Sequence, residues 1–252
     1  MTVRFSTGAR NGFAGGLGFA AMFNRGVLDV YSGTQPASAD AAVTGTLLGR
    51  VTVASGALTA ETQASGTITI TGGAGSVATV TVGTFNIIPD GAVPYNTSAA
   101  QTAADLCDAI NRNGFYTAAV AGAVVTIKPR PGAGAAHNGY VVTSTGGVTA
   151  TYTNMAGGVA SANGLYFAAP VGGSVSKAGV WSFNGIAAGT AGWFRLQASV
   201  ADAGGIILAA PYLPRMDGSV ATSGADLNLS NIVIAVGAPS TIDTFTVAFP
   251  AQ

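Results

Sequence analysis

Thr and Ile alternate through GTITITG (residues 66–72), and Val alternates with Ala and Thr through VATVTVG (77–83). FNII (85–88), FYTAAVAG (115–122), AVVTIKP (123–129), YVVTSTGG (140–147) and VTATYTN (148–154) continue the pattern, with Gly-rich stretches between them. A period of two puts alternate side chains on opposite faces, as in a half-buried antiparallel sheet. The spacing predicts about seven short strands across residues 66–153, with a tight turn near Ala121–Gly122.

One segment breaks this rhythm. In TSAAQTAADLCDAINRN (97–113), Ala99, Ala103, Leu106 and Ile110 recur at helical spacing, with Cys107 beside them and Asp105 and Asp108 opposite. Ser98 followed three residues later by Gln101 forms a capping box, and Asn113–Gly114 offers a left-handed stop. These features predict a helix over 98–112, packed on the sheet as scaffold rather than as a carrier of chemistry.

The flanking regions have a different texture. RNGFAGGLGFAAMFNRG spaces Phe13, Leu17, Ala20 and Ala21 at three- and four-residue steps. This predicts a short N-terminal helix, capped by Asn11 and ended by Gly26, that Gly15, Gly16 and Gly18 weaken. GVLDVYSG reads as a strand with Val27, Asp29 and Tyr31 on one face and Leu28 and Val30 on the other. VTGTLLGRVTVASGAL adds one or two more strands. Both tryptophans fall in the last hundred residues, where GLYFAAP, AGVWSFNGI, GWFRLQAS, GIILAAPYL, NLSNIVIAVG and STIDTFTVAFP read as strands of a second β core. That core needs partner strands, which residues 27–58 can supply.

The expected fold class is therefore mainly β. A jelly-roll-like outer β-sandwich is built from residues 1–60 and 158–252. A second, Ig-like β-sandwich with the 98–112 helix is inserted at 61–157. Both seams, LTAETQASG and NMAGGVASANG, are small and polar, as domain junctions tend to be.

Composition narrows the function. Charged residues make up 8% of the 252-residue chain, ten basic and ten acidic, against about 25% in ordinary globular proteins. No basic stretch exists to neutralise a phosphate backbone, which argues against nucleic-acid binding. No apolar run reaches the roughly 18 residues of a membrane span. FAGGLGFAAMF (13–23) is too short, and Asn24-Arg25-Gly26 follows it where a signal peptide would carry a small-residue cleavage site. A surface so poor in charge is either covered by Thr, Ser and Asn or, as favoured here, buried against other subunits.

Candidate chemistry is sparse. Cys107 is the lone cysteine and His137 the lone histidine, in the loop PRPGAGAAHNG, where it reads as a solvated side chain. No acidic residue lies within twenty positions of His137 to complete a triad. Neither a nucleophile elbow nor a phosphate-binding loop is present. The single glutamate, Glu61, lies in a seam. Asp217, Asp226, Asn228 and Asn231 offer hard oxygen donors for calcium but match no ordered calcium loop, and turn chemistry explains them as well. Tyr31, Trp181 and Trp193 are candidates for a sugar-binding platform, although such strand aromatics serve more often as core or interface. The expectation is a protein with no catalytic residues, cofactor or metal.

Two stretches carry a resemblance. STGARNGFAGGLGFAAMFNRGVLDVYSGTQPASADAAVTGTLLG and RMDGSVATSGADLNLSNIVIAVGAPSTIDTFTV together resemble small structural proteins from the morphogenesis regions of tailed bacteriophages. The middle unit, with PYNTSAAQTAADLCDAINRN and PGAGAAHNGYVVT, is similar to an accessory β domain that recurs in phage virion proteins. The resemblance implies a virion protein without a catalytic group but does not name its position in the particle; the leading expectation is a non-enzymatic protein that decorates or cements the capsid from the exterior. Its partners would be copies of itself and the major capsid protein or other virion proteins. The alternatives are a tail, neck or baseplate component, or a carbohydrate-binding fibre module contacting a host-surface glycan. The apolar residues expected at the subunit interface are Phe5, Phe13, Leu17, Phe19, Phe23, Trp181, Trp193 and Phe194.

Overall fold

The computed structural model describes residues 3–207 and 213–249. The chain divides into two compact units, residues 1–61 with 161–252, and residues 62–160. The seams thus lie beside the expected 61–157 boundaries.

In chain order, the first stretch of the outer unit holds β1 (Arg4–Phe5), α1 (Thr7–Ala14), α2 (Phe19–Phe23), β2 (Val27–Ser32) and β3 (Leu47–Val53). The inserted unit follows with β4 (Ser65–Val82), β5 (Phe85–Asn86), β6 (Val93–Pro94), α3 (Ala99–Asn111), β7 (Tyr116–Ala121), β8 (Val124–Pro129) and β9 (Val142–Ala156). The chain re-enters the outer unit with β10 (Tyr166–Phe167), β11 (Ser174–Ala178), β12 (Trp181–Asn184), β13 (Gly189–Gln197) and β14 (Arg215–Ala221). β15 (Leu227–Asn228), β16 (Val233–Ile234), β17 (Pro239–Ile242) and β18 (Thr246–Ala248) complete it. Most of the expected segment GIILAAPYL falls outside the described residues.

The outer unit's main sheet runs β1-β14-β13-β2-β3-β12-β17, with β15 beside β14 and β16 beside β13. A three-stranded sheet, β10-β11-β18, contributes Phe167 and Val175 to the same apolar core as Leu28, Val30, Trp181 and Phe194. The strand expected over GVLDVYSG forms as β2, between β13 and β3. Its Leu28 and Val30 enter the apolar core, while Val27, Asp29 and Tyr31 face the other way and are also buried. Both faces of this sheet are therefore covered.

The N-terminal helix departs from expectation. It forms as two helices, broken at Gly15–Gly18. Ser6 caps the first: its Oγ accepts the Ala9 N–H at 3.2 Å. Gly16 adopts φ +84°, which closes α1 without strain. Asp40, from the loop after β2, accepts the Thr7 N–H at 2.9 Å at the start of α1.

In the inserted unit, GTITITG and VATVTVG are one 18-residue strand, β4, rather than two, and the 140–154 runs join in β9. Register shifts near Gly72, Gly73 and Val77 absorb the glycines without ending the strand. All six strands belong to one hydrogen-bonded sheet, with β8 and β9 flanking the first half of β4 and β5, β6 and β9 flanking the second. Helix α3 follows its sequence closely. Ser98 caps it by accepting the Gln101 N–H at 3.1 Å, and Ala103, Leu106, Cys107 and Ile110 are buried against Ile68, Val80 and Val125. Two details differ. The Gln101 amide donates to Asp105 at 2.9 Å instead of reaching back to the cap. The helix ends at Arg112 without a left-handed residue, and the Asn113 side chain accepts the Phe115 N–H at 2.7 Å as a local turn.

Candidate functional site

The eight expected interface residues lie elsewhere than on a free surface. Leu17, Phe19, Phe23, Trp181 and Phe194 are buried in the apolar core of the outer unit, and Phe5 and Phe13 pack against it, edge to face at 5.3 Å. Trp193 is fully buried on the opposite face of the sheet, stacked on Tyr31 at 4.5 Å. The physical reason is that a sheet covered on both faces consumes its large side chains internally. The same burial makes core residues of Tyr31, Trp181 and Trp193, each at most 6% exposed, and removes the alternative of a sugar platform. From the N-terminal stretch Ala9, Leu17, Phe19, Met22 and Phe23 enter this core, with Val3, Phe5, Phe13 and Ala20 packed against it.

The hard oxygen donors weighed for calcium are engaged separately. Asp217 is committed to Arg195, Asp226 accepts the Ser219 N–H and hydroxyl, and Asn228 and Asn231 accept the N–H of Ala225 and Val233. Among the described residues no group of three or more His, Cys, Asp or Glu side chains is placed to hold a metal. Glu61 is buried and accepts the Ser199 hydroxyl at 2.7 Å.

What sequence reasoning missed is a row of charge on the second face of the main sheet. Strand register sets Arg4 opposite Asp217, Asp217 opposite Arg195, Arg195 opposite Asp29, and Asp29 opposite Arg50. Five adjacent strands thus present + − + − + in one line. Arg195 grips Asp217 with two 2.7 Å bonds, and Arg50 grips Asp29 with two of 2.8 Å. Next to the row, Arg215 holds Asp202 with two 2.6 Å bonds.

Loops close over it. Arg195 donates to the Ala41 carbonyl at 3.0 Å, Arg215 to that of Gly205 at 2.8 Å, and Arg4 to that of Pro36. Burial raises the Asp217 carboxyl above its ordinary range despite the facing arginine. Perturbed carboxyls often mark active sites. Here both partners are fully buried and joined by two hydrogen bonds, so no substrate reaches them, and the pair is a staple between strands. Only the period-two placement of Asp29 and Arg195 among apolar neighbours hinted at it.

A cleft lined by half-exposed aromatic rings lies within the inserted unit. The turn after β4 brings Gly83, Thr84 and Phe85 beside Phe115 and Tyr116 at the start of β7, and beside His137 and Tyr140 before β9. Together they line about 560 Å³. The rings form a chain. Phe115 meets Phe85 at 5.6 Å, Phe85 lies over Tyr116 at 6.2 Å, Tyr116 meets His137 at 5.6 Å, and His137 meets Tyr140 at 5.0 Å. Phe85, Phe115 and Tyr140 are 45%, 57% and 43% exposed, whereas Tyr116 is buried.

Local backbone chemistry holds this wall. Arg130 donates to the carbonyls of Asn113 and Gly114, fixing the turn that carries Phe115. Gly83, at φ +63°, lets the turn pass against Tyr140, whose ring would lie 3.2 Å from any Cβ there. His137 is thus not a solvated loop side chain: it is half-buried, and its Nδ1 is buried without a partner among the described residues. Burial lowers its pKa, which keeps the imidazole neutral near pH 7.

Compared with protein-family models, curated proteins and solved structures, the chain has no significant match. Among the described residues no helix is long and apolar enough to cross a membrane.

Proposed function

We propose that this chain is a non-enzymatic structural subunit of a tailed-phage virion. It assembles with copies of itself through apolar contacts and decorates or cements the capsid from the particle exterior. The observation that carries the assembly reading is where the charge goes. Of twenty charged side chains, Asp29, Glu61, Arg195, Arg215 and Asp217 are buried, and the Asp202 carboxylate is 3% exposed. The exterior is thus still poorer in charge than the composition, and a surface with so little charge favours association.

Exposed apolar side chains replace the buried aromatics as interface candidates. Ile186, Val233 and Val236 are 55%, 63% and 69% exposed. They sit on two neighbouring segments, joined by the hydrogen bonds Gly185 N–H to Ala238 O and Gly237 N–H to Gly185 O. Such clusters are typical of interaction surfaces. In a symmetric assembly the same patch recurs on every subunit.

Virion membership is supported by the likeness of residues 6–49 and 215–247 to phage structural proteins. The jelly-roll-like reading of the outer unit is supported by two sheets sharing one core. The six strands of the inserted unit form one sheet packed on α3, so its Ig-like reading rests on the strand pattern of the sequence.

Sedimentation equilibrium of the purified chain tests assembly. A concentration-dependent oligomer that dissociates in Val233→Asp/Val236→Asp is expected, and a strict monomer at high concentration overturns it. Subunit counting in purified particles tests the position. Lattice-wide copy number supports decoration, a handful of copies moves the protein to the tail, and absence from particles ends the virion reading.

A further inference from the structure

We propose that the aromatic cleft of the inserted unit binds a neutral carbohydrate, one pyranose ring packing among the exposed rings of Phe85, Phe115 and Tyr140. This stands independently of the assembly reading. Three observations select the ligand class. The cleft holds about 560 Å³, within the range of small-ligand sites. Its exposed rings belong to separate turns that are tied in place by Arg130 and Gly83, so the surface is pre-formed rather than collapsed. No Asp, Glu, Lys or Arg lines it, and its imidazole is neutral.

An anionic ligand would find no counter-charge there, and a cation would have only ring faces to offset its desolvation. A nucleic acid would stack on the rings but lack cations for its phosphates. The nearby arginines are engaged, Arg112 with Asp90 and Arg130 with backbone carbonyls. A wholly apolar ligand would leave the hydroxyls of Thr84 and Tyr140 unused at the wall. A sugar ring matches both kinds of surface: its axial C–H groups pack on aromatic faces, and its hydroxyls exchange hydrogen bonds with those side chains.

The test is titration of the full chain with maltotriose, cellotriose, galactobiose and diacetylchitobiose, followed by NMR shift changes and calorimetry. Saturable binding of at least one is expected, with resonances of Phe85, Phe115 and Tyr140 moving. Phe115→Ala, at an exposed position that leaves the fold intact, should weaken it tenfold or more. Tyr140→Phe keeps the ring and removes the hydroxyl, and should weaken it several-fold. No saturable binding by any of the four sugars overturns the proposal, as does binding indifferent to Phe115→Ala. Binding that survives Tyr140→Phe unchanged, or that is outcompeted by an apolar peptide, reassigns the cleft to an apolar ligand.

Discussion

Arg195 and Asp217 face each other across β13 and β14, joined by two 2.7 Å hydrogen bonds, and neither side chain is reached by solvent. A buried pair of this kind gains little over apolar residues of the same volume, because desolvating two charges offsets their attraction. Removing one partner strands the other. Asp217→Asn should therefore destabilise the outer unit by about 3–5 kcal/mol. The double change Arg195→Met/Asp217→Leu should recover most of that loss. Denaturant unfolding followed separately for the two units would show it, and equal losses in single and double variants would contradict the coupling.

Tyr31 sits beside this pair, and burial together with Asp29 pushes its phenol well above the ordinary value of 10.0. In the unfolded chain the phenol ionises near 10, while in the folded chain it stays protonated. The unfolded state then binds fewer protons, and stability falls as pH rises through and beyond 10. Tyr31→Phe should flatten that alkaline decline. A thermal-melt series from pH 8 to about 11 would reveal an unaltered slope if the phenol plays no such part.

Gly49 in β3 marks a close approach. A Cβ at this position would lie 2.1 Å from Phe183 Cδ2 and 2.3 Å from Cε2. The ring is fully buried and has nowhere to go. Gly49→Ala should cost about 1–3 kcal/mol through overpacking, with partial recovery when Phe183→Leu is added. Chemical denaturation of the three variants measures the recovery.

Helix α3 gives a prediction for the inserted unit alone. Leu106 is completely buried between helix and sheet. Leu106→Ala should lower that unit's stability by about 2–5 kcal/mol, and Ser98→Ala by about 0.5–2 kcal/mol through loss of the cap. The outer unit's transition should stay in place, and a joint shift of both transitions would contradict this.

The amino-acid pattern by itself determined what depends on near neighbours in the chain. Ser98 and the Ala103–Leu106–Ile110 stripe are within a few residues of each other, so helical geometry alone brings them into use. The alternation in GVLDVYSG likewise assigns Leu28 and Val30 to one face and Asp29 and Tyr31 to the other. Glycines were harder to read, because the same residue ends a helix at Gly15–Gly16 and merely bends a strand at Gly72–Gly73. Only the surrounding ladder decides which.

Tertiary structure alone decided the rest. Arg4, Asp29, Arg50, Arg195 and Asp217 are spread over most of the chain, and their alternating row exists only because strand order and register align them. Cover on both faces of the sheet likewise buried Trp181, Trp193 and Phe194, and turn geometry gathered Phe85, Phe115, His137 and Tyr140 around one cleft. The reason is physical: periodicity fixes which face a side chain takes, whereas what it meets there is fixed by strands and loops that arrive from distant parts of the chain.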